Sequence, residues 1–171
     1  MGRRPADVVV AAAVAGLLSG LPSTMHALAT GRSPLAAARA AGEVVRRPGL
    51  PGGVAAHAVL SVLWGAVLGV LLPRRRTVAW GAVGGAAIAL LDLTIAAHRY
   101  PPIAALPRAG QVADHVAFGA LVGAVLSRRD RWHVGLSASH RGRVEPSSRR
   151  DAVRGWRGRR RGGATSANRR R

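Results

Sequence analysis

The sequence predicts an all-α fold, a bundle of four transmembrane helices with a short extracytoplasmic helix and a disordered, arginine-rich C-terminal tail. Three observations lead to this prediction. Four stretches of the 171-residue chain are almost free of charged residues and approach the ~20 residues that a helix needs to cross the hydrocarbon. They lack the polar stripe of a soluble amphipathic helix. Arginines are concentrated around these stretches and after the last one.

The predicted helices lie at about residues 7–30, 54–72, 77–97 and 111–127, within one transmembrane domain of residues 1–127. Residues 8–30 and 54–72 contain no charged side chain, and the third stretch holds only Asp92. The fourth is shorter and opens with Asp114 and His115. Glycine is frequent throughout, which weakens helices in water but is common in membrane helices.

The first stretch has an alternative interpretation as a cleavable signal peptide. Arg3 and Arg4 precede its apolar run, and the small-residue triplet Ala27-Leu28-Ala29 resembles a cleavage site. The apolar run is long for a signal core, which favours a retained helix.

The arginines predict the orientation, because cytoplasmic flanks of membrane helices are enriched in basic residues. The chain has 26 basic residues, all arginine, and 20 of them lie before the first helix, between the second and third, or after the fourth. Both termini are therefore predicted to be cytoplasmic, in a multi-pass protein of the bacterial plasma (inner) membrane. In the first outer loop, Ser33 as N-cap, Pro34 and the Arg39–Glu43 pair predict the short helix. The second outer loop, rich in proline, is predicted to be irregular.

Each predicted helix contains a Gly-xxx-Gly pair, and such small residues let membrane helices approach closely. The eight glycines predicted to pack helices are Gly16, Gly20, Gly65, Gly69, Gly81, Gly85, Gly119 and Gly123. In the second helix, His57 and Ser61 continue the line of its two glycines at intervals of four residues, so that the packing stripe becomes polar toward one end.

Polar residues lie at alternating ends of successive helices, and alternate threading brings these ends to the outer side. The candidate ligand or proton cluster consists of His26, His57, Ser61, Asp92, His98, Asp114 and His115. Inserting an Asp into the membrane costs roughly 2.5–3.5 kcal/mol on insertion scales, so an Asp within a predicted membrane helix indicates a functional site. For Asp92, the expected partners are His57 or His115. The cluster is a structural polar knot, a pocket for a small solute, lipid headgroup or proton, or a metal site of imidazole and carboxylate ligands.

Several function classes find no support in the sequence. There is no Cys, which excludes disulfides and thiolate chemistry. Ser61 lies one turn from His57, but a membrane Ser more often bonds a carbonyl of its own helix. We therefore predict no enzyme, no catalytic residue and no cofactor.

The tail of residues 128–171 has a composition that cannot bury enough surface to fold. Its basic start, from Arg128 to Trp132, is expected to lie on anionic lipid headgroups. The chain has one Phe and one Tyr, too few for a base-stacking platform, so no specific nucleic-acid partner is predicted.

Two segments, His57-Ala58-Val59-Leu60-Ser61 and Gln111-Val112-Ala113-Asp114-His115-Val116-Ala117-Phe118-Gly119, together with the basic inner loop, carry a resemblance. The chain resembles small, uncharacterised four-helix inner-membrane proteins of actinobacteria and, more distantly, YagU-type inner-membrane proteins. The resemblance covers residues 54–126 and implies a polytopic protein without assigned catalysis.

The leading hypothesis is a non-enzymatic membrane protein whose polar extracytoplasmic cluster is structural or binds a small ligand. The first alternative is a proton-coupled transporter or accessory subunit, which requires a homo-oligomer or a partner because four helices are few for a complete transporter. The second is an intramembrane His/Asp metalloprotein.

Overall fold

A computed structural model describes the backbone of residues 2–144 and the side chains of residues 2–135. Its contacts divide the chain into two units, Met1–Asp130 and Arg131–Arg171, and the first unit contains everything discussed below except the end of the last helix. The helices are α1 (Pro5–Leu18), α2 (Leu21–Ala29), α3 (Ala36–Ala41), α4 (Leu50–Leu71), α5 (Thr77–Arg99), α6 (Pro101–Ala104) and α7 (Arg108–Val144), with a 3-10 turn at Gly42–Val45.

Four spans are long and apolar enough to cross a membrane: Pro5–Ala29, Leu50–Leu71, Thr77–Arg99 and Arg108–Gly135. Their outer surfaces are apolar, since Leu17 is 84% exposed and Val70 is 85% exposed, whereas Ala11 and Ala15 are fully buried. Exposed large apolar side chains, together with small residues at the helix contacts, suit a lipid environment. The prediction of four membrane-spanning helices is confirmed to this extent.

Prolines set several helix ends. Pro5 opens α1, where the missing N–H of proline is not needed. Leu72 is extended after α4 because it precedes Pro73, and a residue before proline is disfavoured in the helical region. Tyr100 is extended before Pro101 for the same reason and ends α5.

The helix α1 packs antiparallel against α4. As the chain advances along α1 from Val8 to Gly16, the facing position on α4 moves back from Gly69 to Ser61. A Cβ atom on Gly69 would lie 2.8 Å from both methyl carbons of Val8. The two helices are therefore as close as a glycine allows.

The helices α5 and α7 are also antiparallel, and here backbone meets backbone. A Cβ atom on Gly119 would collide with the carbonyl oxygen of Gly81 and would lie 2.8 Å from the nitrogen of Gly85. A Cβ atom on Gly123 would collide with the carbonyl oxygen of Thr77.

Two further contacts close the four spans into a ring in the order α1, α4, α5, α7. The side chain of Leu68 on α4 lies 2.7 Å from the position that a Cβ atom of Gly84 on α5 would take. Arg129 on α7 and Asp7 on α1 form an ion pair of 3.4 Å. The buried core between the spans consists of Ala11, Ala15, Leu68, Leu72, Ile88, Phe118, Val122 and Leu126.

The first span is broken, although the sequence predicted one continuous helix over residues 7–30. The break follows Leu18 and α2 starts at Leu21, because Pro22 cannot donate a hydrogen bond to the Leu18 carbonyl and its ring clashes there. Gly20 lies in this break, and a Cβ atom added to it would have no neighbouring atom within 4 Å. Its predicted packing role is therefore wrong, whereas the other seven glycines all lie against a neighbouring helix.

The loop between α2 and α4 and the loop between α5 and α7 also differ from the predictions. A short helix is present in the first loop, but α3 begins at Ala36 with Leu35 as its N-cap. Ser33 acts one turn earlier, where its Oγ accepts the Leu35 N–H at 3.4 Å. The second loop contains the helical turn α6 and is not irregular throughout, because two consecutive prolines suit the start of a helix.

The helix α7 continues to Val144, whereas the prediction ended it at residue 127 and made residues 128–171 disordered. Extending an existing helix fixes one residue for each hydrogen bond gained, so it needs no buried surface of its own. Arg is also a good helix former. The part of the predicted tail after residue 144 lies outside the described residues.

The contact of Gly119 with α5 predicts a large effect of a single methyl group. Gly119→Ala should destabilise the bundle by about 1–3 kcal/mol, the usual cost of overpacking, measured as the free energy of unfolding in detergent micelles. Gly20→Ala is the matched control, because space is free around Gly20, and it should not be destabilising. Equal stability of the two variants would contradict the backbone contact between α5 and α7.

The arginine distribution and the antiparallel spans together predict that the loop between α4 and α5 and the loop after α2 lie on opposite sides of the membrane. The chain has no Cys, so Ser33→Cys and Arg75→Cys each introduce a single thiol. A membrane-impermeant maleimide should label the first variant in intact cells and the second only after the membrane is opened. The reverse pattern would overturn the predicted orientation.

Candidate functional site

The antiparallel spans bring the predicted cluster to one end of the bundle, which we call the polar end and define by His57, Asp92, Asp114 and His115. These residues come from the start of α4, the later part of α5 and the start of α7. The end of α2 and the loop that contains α3 complete this end of the molecule.

The central contact of the polar end joins α7 to α5. His115 Nε2 lies 2.9 Å from Oδ2 of Asp92, and His115 Nδ1 lies 2.7 Å from the carbonyl oxygen of Gln111. A carbonyl oxygen only accepts, so Nδ1 carries a proton and donates it. One further proton must lie between Nε2 and Oδ2, on either the imidazole or the carboxyl group. The pair therefore shares one proton and has no net charge in either arrangement.

The neighbouring residue Asp114 points the other way, toward the broken span. Its Oδ1 accepts the backbone N–H of Ser23 at 2.8 Å. Ser23 lies in the first turn of α2, where backbone N–H groups have no partner within the helix and the helix dipole favours a negative charge. Asp114 thus supplies, from another helix, the cap that α2 lacks in its own sequence.

His57 and Ser61 lie against the last turn of α1. The Nε2–H of His57 donates to the carbonyl oxygen of Gly16 at 2.7 Å, so His57 does not pair with Asp92. Ser61 is buried, and its Oγ would be 2.8 Å from a Cβ atom on Gly16. Both residues therefore secure the α1–α4 contact next to the break.

His26 and His98 are exposed and lie apart from these contacts. His98 Nδ1 donates to the carbonyl oxygen of Thr94 at 2.9 Å, within its own helix. His26 lies in the wall of a cavity at the polar end. The seven predicted residues therefore do not form one cluster but several separate contacts.

The cavity has a volume of about 640 Å³. It lies between the end of α2, the α3 loop and the segment that leads from α6 into α7. Its polar lining consists of Ser23, His26, Arg32, Ser33, Arg39, Glu43 and Gln111. Of these polar lining residues, His26 alone was among the predicted site residues. The signal for the others, apart from Ser23, was their position in or next to the outer loops.

The wall formed by α3 and the 3-10 turn is fixed against the start of α4. A Cβ atom on Gly53 would collide with the carbonyl oxygen of Ala38, and one on Gly52 would collide with that of Arg47. A Cβ atom on Gly42 would lie 2.8 Å from the carbonyl oxygen of Gly49. Backbone contacts of this kind leave little room for this wall to shift, so this side of the cavity is held in place.

The opposite end of the bundle holds ion pairs that the sequence prediction missed. Arg3, whose side chain is 6% exposed, lies 3.4 Å from the carboxylate of Asp130. Its Nη1 donates to the carbonyl oxygens of Gly69 and Leu72, at 3.1 and 2.8 Å, at the C-terminal end of α4. The sequence showed Arg3 only as an orientation signal, because its partners are distant in the chain.

Among the described side chains, those of residues 2–135, no group of three His, Asp or Glu is arranged to hold a metal ion. The individual contacts give the reason, since His57, Asp114 and His115 each turn toward a different partner. The metal hypothesis therefore has no ligand set in this part of the chain.

Comparisons of the chain with protein-family models, with curated proteins and with solved structures found no match. The resemblance to actinobacterial and YagU-type inner-membrane proteins stays a prediction. The geometry of the polar end is therefore the basis on which a function can be proposed.

The Asp92–His115 contact predicts energetic coupling between the two side chains. In a double-mutant cycle with Asp92→Ala and His115→Ala, the two losses in unfolding free energy should fail to add by about 0.5–3 kcal/mol. The matched cycle pairs Asp92→Ala with His57→Ala, whose partner is the Gly16 carbonyl, and should be additive within about 0.5 kcal/mol. Coupling to His57 in place of His115 would contradict the observed pairing.

Proposed function

We propose that this chain is a non-enzymatic, multi-pass protein of a bacterial plasma membrane that binds a small ligand in the cavity at its polar end. The observation that carries the proposal is the cavity itself. Its volume of about 640 Å³ lies within the ~300–1,000 Å³ that is typical of small-molecule sites.

The lining supports a binding role. Ligand sites are usually apolar with a small number of polar groups that fix the orientation of the ligand. Here the polar groups stand among apolar residues that include Ala27, Ala37, Pro102 and Leu106.

The contacts below the cavity support the same proposal, because they hold two of its lining residues in place. Ser23 is bonded to Asp114, and the backbone of Gln111 is bonded to His115. A pre-formed site loses less conformational entropy when a ligand binds. In this proposal, the ionisable residues of the polar end position the cavity and do not contact the ligand.

A second candidate, a proton-coupled transporter, is favoured by the proton that His115 and Asp92 share. Their side chains are 25% and 32% exposed, so the pair is not fully enclosed by the protein. The pair is linked to the cavity through the Gln111 carbonyl. This function would require a second copy of the chain or a partner to complete a path across the membrane.

The cavity can be tested by filling it. The full-length protein, extracted with membrane lipids into nanodiscs and analysed by native mass spectrometry, should carry one discrete non-covalent adduct per chain. Ala37→Trp should abolish this adduct, because Ala37 lies in the wall and an indole would occupy the space.

Ala104→Trp is the matched control, since Ala104 is exposed in the nearby α6 and does not line the cavity. This variant should retain the adduct. A wild-type protein without an adduct, or an Ala37→Trp protein that keeps it, would overturn the proposed function.

A further inference from the structure

We propose that the ligand of this cavity is an anion, a phosphate or a carboxylate, joined to a short apolar body. This inference rests on the proposed function and names the chemical class that the site takes. It follows from the charges of the cavity wall, from its apolar surface and from its position at the end of the spans.

The charges of the wall favour an anion. Two arginines, Arg32 and Arg39, line the cavity together with one glutamate, Glu43. A guanidinium presents parallel N–H donors that match the two oxygens of a carboxylate or phosphate. The negative charge of Glu43 repels an anion and therefore lowers its affinity for the cavity. Removing this charge should raise the affinity, whereas removing an arginine should lower it.

The arginines are attached to different segments of the wall. Arg32 follows α2, whereas Arg39 lies within α3, which the glycine contacts fix against the start of α4. Two arginines from separate elements therefore border the same cavity. Glu43 is the one acidic residue of the described lining, so the two arginines outnumber the carboxylates of the wall.

The rest of the wall suits an apolar body. Ala27, Ala36, Ala37 and Ala40 line the side of α2 and α3, and Pro102 and Leu106 line the opposite side. A free inorganic anion would leave these surfaces without a partner. An anion attached to an apolar group uses both parts of the lining.

The position of the cavity makes lipid a direct source of such a ligand. On α2, Ser23, His26 and Ala27 line the cavity, whereas Leu21, Met25 and Leu28 are 56%, 64% and 59% exposed. The exposed residues follow one another at helical spacing and form a separate face of the same helix. A single nine-residue helix therefore separates the cavity from the surface that suits lipid, which places a lipid headgroup next to the cavity.

The experiment uses the full-length chain in dodecyl maltoside micelles, with dihexanoyl phosphatidic acid as the anionic probe. Dihexanoylglycerol is the matched neutral probe, because it has the same apolar body without the phosphate. Microscale thermophoresis should show saturable binding of the phosphatidic acid and at least about tenfold weaker binding of the neutral probe, which corresponds to ~1.4 kcal/mol.

The variants give effects of opposite sign. Arg32→Ala and Arg39→Ala should each weaken phosphatidic acid binding by about fivefold to tenfold, whereas Glu43→Gln should strengthen it by about twofold. Arg99→Ala is the control, since Arg99 is an exposed arginine at the same end that does not line the cavity. Thermal unfolding of each variant checks that the fold is intact.

Inorganic phosphate, added as a competitor, tests whether the apolar body contributes to binding. Failure to displace phosphatidic acid at a similar concentration is the expected result, because phosphate alone leaves the apolar wall without a partner. Displacement at a similar concentration would overturn the apolar part of the inference.

The inference would be overturned if both probes bound equally, or if Arg99→Ala weakened binding as much as Arg39→Ala. It would also be overturned if neither probe bound while the adduct in native mass spectrometry persisted, and in that case the proposed function would stand. Failure of the proposed function would give a different result. The adduct, or binding of the probe, would then survive the Ala37→Trp substitution.

Discussion

The close approach of helix backbones at glycine is the constraint on which the rest of this structure depends. In lipid no hydrophobic force drives one helix onto another, so the bundle relies on packing contacts and hydrogen bonds between helices. The contact of α5 with α7 also sets the chemistry. A Cβ atom on Gly85 would collide with the carbonyl oxygen of His115, and this nearness of the two backbones lets the His115 imidazole reach Asp92, two turns farther along α5.

The broken first span shows how the same bundle tolerates irregular backbone at membrane depth. A break leaves carbonyl and N–H groups without helical partners, and such groups are costly unless other parts of the protein satisfy them. His57 donates to the Gly16 carbonyl before the break, and Asp114 accepts from the Ser23 N–H after it. His57 and Asp114, which the sequence placed in a proton or ligand cluster, therefore have a structural role. They satisfy backbone groups that the break leaves without helical partners.

Local composition was enough to predict the four spans, the glycine stripes and the convergence of polar residues at one end, because these depend on length and periodicity alone. The break was harder to predict, since a proline such as Pro22 can either kink or interrupt a membrane helix. The partner of Asp114 is an N–H group on another helix, and no sequence spacing encodes it. The extension of α7 was missed because its composition argues against a buried core, which a helix continued from a membrane span does not require.

The two ends of the bundle differ in how their charges are used, and this difference bears on where a ligand can bind. At the end opposite the cavity, Arg3 is taken up by Asp130 and by carbonyl oxygens of α4, and Arg129 by Asp7. Each of these side chains is held by partners on another segment of the chain, so these charges help to hold the spans together. At the polar end, the Asp92–His115 pair is neutral as a unit, and the charged groups of the cavity wall lie outside it. The charged residues that line the cavity together with His26 are Arg32, Arg39 and Glu43, and these three are carried by the segments between the spans and not by the spans themselves.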